Sequence, residues 1–368
     1  MISLAWRNLS QSRTQFLLGV GGVTLALLLM IALDALLAGS EEDLVAYIER
    51  SGADVFVAQE GVKNMHMAAS AITYRDMRLA SHAIGVHSAS PILFTTGVVK
   101  TAGADVLSYV IGFDPDEPLG GPGSVVAGTA ALQRDEAVID DAVSRSQHVE
   151  LGDQVEIFGK DFTVVGFTHG MTNLINSVTF IHLEDFQESR PGDSLSYVLL
   201  DVAPDADARA VAAAVTARNP DVLALARPDF SREERQIITD MSVEVLYIMN
   251  LSGLFIGLAV TALTLYTSTL RKRQEYGVLK AIGARNGHLY AVVAAQALLS
   301  LVLAFVIAIG LVWALGQVLP LVVPGVALAL TQTGIVRVLV ASGAIGVLAA
   351  LAPAWQLARL DPAQVFRA

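Results

Sequence analysis

Cysteine is absent from the chain, which excludes disulfide staples and any chemistry that runs through a thiolate. Charge is scarce. Asp, Glu, Lys and Arg make up 16% of the residues, against about a quarter in ordinary soluble domains. Catalytic spacings are missing as well. There is no G-x-S-x-G and no H-E-x-x-H or H-x-x-x-H, although six histidines fall between His66 and His182. Gly159-Lys160 is followed by Asp161, with no glycine five residues before Gly159, so it is not a phosphate-binding loop. DPDEP, Asp114 to Pro118, lacks the glycine and the distant glutamate of an EF-hand and reads as an acidic solvated turn. No catalytic residue, no metal site and no bound cofactor is expected in this chain.

What is present is apolar sequence, 54% hydrophobic with a mean hydropathy of +0.56. It is clustered into charge-free runs: Thr14 to Leu33 (20 residues), Val245 to Leu270 (26), Leu289 to Val336 (48) and Val338 to Ala358 (21). About 20 apolar residues in a helix cross the roughly 30 Å hydrocarbon core of a bilayer. The 48-residue run exceeds one span, and Pro320 and Pro324 divide it. Four spans follow: 15–38, 244–270, 289–318 and 335–357, with an apolar loop over 319–334. The first run is longer than the ~7–15-residue core of a signal peptide. ALLAGSEED, after it, has no A-x-A site, so the run reads as an uncleaved anchor.

Charge sets the topology. Gly39 to Val243 holds 14 basic and 31 acidic residues, and the rest of the chain 10 and 4. Outside that block the basic residues are Arg7 and Arg13, then Arg271, Lys272, Arg273, Lys280 and Arg285, then Arg359 and Arg367, with Arg337 alone at the other end of span four. With four spans the three basic groups share one side, which the positive-inside rule makes cytoplasmic. The segments 1–14, 271–288 and 358–368 are then cytoplasmic, and 39–243 and 319–334 face outward. The acidic block is read as ordinary solubility, and no nucleic acid is expected among the partners.

Between 39 and 243, ADVFVAQ, YVIGFD, EAVIDD, QVEIFGKDFTVVGFT, SVTFIHL and SYVLLDV have the β-branched and aromatic content of strands. Gly159-Lys160-Asp161 reads as a hairpin turn. Asp205 to Pro220 reads as a short helix, with Asp at its start and Pro past its end. The fold class is membrane α-helical, four transmembrane helices, with an α+β domain inserted between helices 1 and 2.

Three features inside the membrane segments stand out. Gly19, Gly21 and Gly22 in GVGGV allow close helix approach, within one subunit or between two. Asp34 lies near the outer end of span one and is expected to reach the interface. Pro353 is expected to kink span four.

Arg271 to Leu289, RKRQEYGVLKAIGARNGHL, is a short basic amphipathic piece between two apolar runs. Tyr276, Leu279 and Ile282 fall at i, i+3 and i+6 and read as one apolar face. Arg273, Glu275 and Lys280 form its polar rims. Gly283 suits a left-handed helix C-cap. Such a helix can dock in a groove of a partner protein or lie on anionic lipid.

The segment resembles the cytoplasmic motif of FtsX-like and MacB-type ABC transporter permeases, roughly R-x-R-x-E-x-G-x-L-[KR]-A-[LIM]-G-A. Arg271, Arg273, Glu275, Gly277, Leu279, Lys280, Ala281, Ile282, Gly283 and Ala284 match it. LAWRNLSQSRTQFLLGVGGV is similar to the family's amphipathic N-terminal helix and first span. SGADVFVAQEGV and VELGDQVEIFGKDFTVVGF resemble its extracytoplasmic domain. APAWQLARLDPAQVFRA, with Pro353, Leu360 and Pro362, resembles its C-terminal signature, Phe366 standing at the usual leucine.

The resemblance implies a mechanotransmission permease of the bacterial cytoplasmic (inner) membrane. Its ATP is bound by a separate ATPase subunit, onto which Arg273, Glu275, Tyr276, Gly277, Leu279, Lys280, Ile282 and Gly283 would dock as a coupling helix. It implies as partners a second copy or paralogue, the lipid membrane, and further a membrane-fusion adaptor, a lipoprotein or a cell-wall hydrolase. It implies export of an amphiphile, lipid, lipoprotein or peptide, or, as the alternative, activation of a cell-wall hydrolase through the outer domain.

Overall fold

The computed structural model describes residues 13–173, 176–190, 192–323 and 325–358. Following the chain, helix α1 (Arg13–Leu44) and the short α2 (Ala46–Arg50) lead into β1 (Val55–Gln59), β2 (Ile72–Thr73), α3 (Tyr74–Ser81), β3 (Val86–Lys100) and β4 (Asp105–Phe113). Next come β5 (Val125–Gly128), β6 (Glu136–Asp140), α4 (Asp141–Gln147), β7 (Gln154–Ile157), β8 (Lys160–Thr168), β9 (Ser177–His182) and α5 (Leu183–Ser189). Then follow β10 (Ser194–Leu195), β11 (Tyr197–Val202), α6 (Ala208–Arg218), β12 (Val222–Ala226) and four further helices: α7 (Arg227–Arg271), α8 (Arg273–Ala281), α9 (Asn286–Val322) and α10 (Gln332–Ala358).

Two compact units result, Gly39–Met241 with Leu319–Ala327, and Met1–Ala38, Ser242–Val318 and Leu328–Ala368. The first is a mixed sheet in the order β12-β1-β11-β3-β4-β9-β6-β8-β5, with β7 pairing β3 and β8. Most neighbours are antiparallel, while β4–β9 and β6–β8 are parallel. One apolar layer packs Ala80 and α6 residues Val211, Ala212 and Val215 on β1, β11 and β12. Another packs Leu183 and Phe186 of α5 on Ile139, Phe162 and Val164.

Local chemistry sets the ends of these elements. Asp207 caps α6 by accepting from the Arg209 amide, and Thr73 with Asp76 forms a capping box on α3. The hairpin β7–β8 closes with a two-residue loop, Phe158-Gly159, at φ 55° and 82°. Positive φ at both residues is the type I′ requirement, so the turn lies one residue earlier than the glycine-led reading placed it. Phe158 holds this unfavourable conformation with its ring packed 5.4 Å from Phe186 and under the Arg190 guanidinium.

Among the described residues four helices are long and apolar enough to cross a membrane: Leu17–Leu44, Glu244–Arg271, Asn286–Val322 and Gln332–Ala358. The first and second spans bracket the inserted α+β domain, the architecture expected from the sequence. Helix α9 runs past 318 to Val322 with Pro320 inside it. A proline removes a single i→i−4 bond, and near a helix end that loss does not stop the helix. Helix α10 likewise runs through the buried Pro353.

The spans pack through small residues. A Cβ on Gly19 would lie 2.5 Å from Thr264 Cγ2, and one on Gly22 2.7 Å from Val260 Cγ1. Both glycines therefore seat α7 against α1 within this subunit, whereas a Cβ on Gly21 meets nothing within 4 Å. Asp34 is buried, and its Oδ1 accepts from Arg337 at 3.0 Å across α1 and α10. The pair spares a carboxylate the cost of lying unpartnered among apolar side chains.

Candidate functional site

Helix α7 ends at Arg271, and Lys272 turns the chain into α8 (φ −96°, ψ 14°). Glu275 lies in the first turn of α8 and Lys280 in the last, the arrangement that opposes the helix dipole at both ends. Gly283 then adopts φ 99°. The Ala284 amide donates to Leu279 O at 2.9 Å and the Gly283 amide to Lys280 O at 3.0 Å. Those two bonds make a Schellman motif, which stops the helix and lets α9 start at Asn286.

The nine residues of α8 present two faces. Tyr276, 3% exposed, packs with Leu289, Val293 and Leu357, bordered by Tyr290 and Ala350. Gly277 is buried beside it. Lys280 is half-buried, and its Nζ donates to Leu357 O at 3.0 Å and Ala358 O at 3.1 Å. The opposite side is open: Arg273, Glu275, Val278, Leu279 and Ile282 are exposed, Ile282 at 75%. Burial pushes the Tyr276 hydroxyl pKa up, Glu275 adds to this, and the Gln296 side chain acts against it. Burial lowers the Lys272 ammonium, with Glu275 opposing.

Tyr276, Leu279 and Ile282 therefore do not form one apolar knob. At 3.6 residues per turn, Ile282 lies about 120° around the helix from Tyr276. Tyr276 joins the span core, and Leu279 and Ile282 join Val278 on the outside. Lys280 is no rim residue either, since it reaches back to α10. Val278 was not singled out from the sequence, though its position four before Ile282 was a legible signal. Gln296, buried within α9, was legible as an amide in an uncharged run. Leu360 and Pro362 lie outside the described residues.

In the inserted domain α7 begins inside the core. Phe230 is 1% exposed and stacks on Phe56 with ring centroids 4.7 Å apart. Glu234 is fully buried and accepts from the Met65 amide at 2.6 Å and from His66 Nδ1 at 2.8 Å. Among the described residues no group of three or more His, Asp or Glu is placed to hold a metal ion.

Four apolar spans, a mixed α/β domain between the first two and a short amphipathic helix between spans two and three define a multi-pass membrane protein of the permease class. The family model described as MacB-like periplasmic core domain matches residues 16–218, and that described as FtsX-like permease C-terminal matches residues 247–362. The chain belongs to this MacB/FtsX-type family and is an ABC transporter permease.

It is 22% identical over 316 residues to uncharacterised ABC transporter permeases of Mycobacterium bovis and Mycobacterium tuberculosis, covering 83% of this chain and 84% of theirs. The periplasmic region of MacB from Actinobacillus actinomycetemcomitans aligns with a TM-score of 0.38 at 11% identity, over 51% of this chain and 96% of that one. The extracellular domain of the ABC-type transporter YknZ from Gram-positive bacteria aligns with a TM-score of 0.37 at 11% identity, over 47% and 99%. A permease of this class works in a membrane with an ATPase partner.

Proposed function

We propose that the chain is a mechanical lever. A separate ATPase subunit docks on the outer face of α8, and its ATP-driven motion is carried along the spans to the inserted domain. That domain then pushes an amphiphile, lipid, lipoprotein or peptide on the far side of the membrane. The basic charge of the termini and of 271–288 supports a cytoplasmic position for them, and with it an outward position for the inserted domain.

The observation that carries this reading is the length of α7. Its 45 residues form one helix from Arg227, whose first turns lie in the core of the inserted domain, to Arg271, one residue before the turn into α8. At 1.5 Å per residue it extends roughly 65–70 Å. A continuous helix transmits displacement, whereas a loop would absorb it. The exposed Glu275, Val278, Leu279 and Ile282 supply an apolar patch with a charged edge, suited to a groove on a protein partner.

Co-purification tests the docking half. The chain is expressed with the ATPase encoded beside it and extracted in mild detergent, as wild type and as Glu275→Lys/Leu279→Asp. The wild type is expected to bring the ATPase down and the double variant to lose it. Equal recovery would remove α8 as the docking element. Recovery with neither would favour the lipid-surface reading of the basic segment.

A further inference from the structure

We propose that Lys280 and Tyr276 are positioning residues: they lock the coupling segment to spans three and four instead of touching the ATPase. The inference rests on the reading of α8 as the coupling element and divides that element by task.

Leu357 O and Ala358 O of α10 accept from the Lys280 ammonium, which stands 77 and 78 residues earlier in the chain. Hydrogen bonds from a charged donor are stronger than neutral ones. The lysine therefore ties α8 to α10 through two charge-assisted bonds.

Tyr276 makes the second attachment. It lies four residues before Lys280 and so on the same side of α8. Its ring is packed among Leu289 and Val293 of α9 and Leu357 of α10, with the buried Gln296 as polar neighbour. Leu357 takes part in both attachments, through its side chain and through its carbonyl.

The outer face of α8 has no comparable tie, because Val278, Leu279 and Ile282 are exposed. A force applied there cannot turn or slide α8 alone. It must carry α10 around Leu357 and the start of α9 with it. A family-wide motif that reads as one docking epitope is here two sets of residues, one facing the partner and one facing the spans.

The absence of cysteine makes the test direct. Ala281, exposed on the flank of α8 between its buried and docking faces, and Leu351, exposed on α10, are replaced by cysteine and spin-labelled in the full-length complex with the ATPase. Distances are measured without nucleotide and after ATP–vanadate trapping.

With Lys280 present, a single narrow distance population unchanged by nucleotide is expected. Lys280→Met should keep the ATPase at wild-type stoichiometry but broaden the distribution and make it nucleotide-dependent, and Lys280→Arg should restore the narrow population. Tyr276→Phe keeps the ring and loses the hydroxyl, and is expected to broaden it less than Lys280→Met. Loss of the ATPase from Lys280→Met would make Lys280 a docking contact and overturn the proposal. So would an unchanged narrow distance in that variant. Failure of the wild type itself to bind the ATPase would remove the coupling reading, and the proposal with it.

Discussion

Glu234 shows how much one buried side chain can settle. It sits on α7, seven residues after the helix begins, and accepts from both the Met65 amide and the His66 ring. Glu234→Ala leaves buried donors unpaired, at a cost of roughly 1–3 kcal/mol. A lower unfolding temperature of the full-length chain and faster hydrogen exchange at 64–67 are expected, and unchanged exchange there would contradict the tie between that loop and α7.

Asp185 works on the surface side of the same domain. Burial would raise its pKa, but Lys160 and Arg134 hydrogen bonds and the Asp135 amide hold it below the ordinary value, and Lys160 is pushed up to about 12 by Asp135 and Asp185. A depressed native pKa means the stabilisation is complete above the unfolded value of about 4 and is lost as pH falls through the native one. Asp185→Asn should therefore flatten the acid limb of the stability profile below about pH 4, and an identical limb in wild type and variant would contradict this. Asp34 and Arg337, 303 positions apart, form the corresponding contact in the spans. Arg337→Met should destabilise the chain by less than the roughly 3–5 kcal/mol of a fully buried pair, since Arg337 is 55% exposed. Asp34→Asn should recover part of that loss.

Elements were legible to the extent that their signals are local. The charge-free runs place all four spans, and the acidic block between the first two places the inserted domain. What was not legible depends on geometry or distance. A turn of 100° per residue separates Tyr276 from Ile282, which a list of apolar positions hides. Pro320 looked like a stop, but the helix tolerates one lost bond. The Gly19–Thr264 and Gly22–Val260 contacts join segments more than 230 residues apart, so the sequence left open whether the glycines faced a neighbour in the same subunit. Gly22→Leu tests that packing: overfilling the seam is expected to cost roughly 1–3 kcal/mol, while Gly21→Leu, facing open space, should cost little. Similar melting temperatures for the two variants in detergent would contradict the seam. Gly283→Val forces a β-branched residue to φ 99°, and should loosen the C-terminal turn of α8 by about 1–2 kcal/mol.

For the molecule as a whole, the central claim is that motion enters at α8 and leaves at the inserted domain along α7. The lipid-facing spans carry few polar groups. Among the described residues their one ion pair is Asp34–Arg337, which suits a lever better than an aqueous path. The claim is tested most directly by interrupting α7 and reading the inserted domain. Four glycines are inserted after Met241, the complex with its ATPase is placed in nanodiscs, and hydrogen exchange across 39–241 is measured with and without ATP–vanadate. The account predicts a nucleotide-dependent change in the wild type, and no change in the insertion variant even though it still binds and hydrolyses ATP. An insertion variant whose inserted domain responds to nucleotide like the wild type would contradict it.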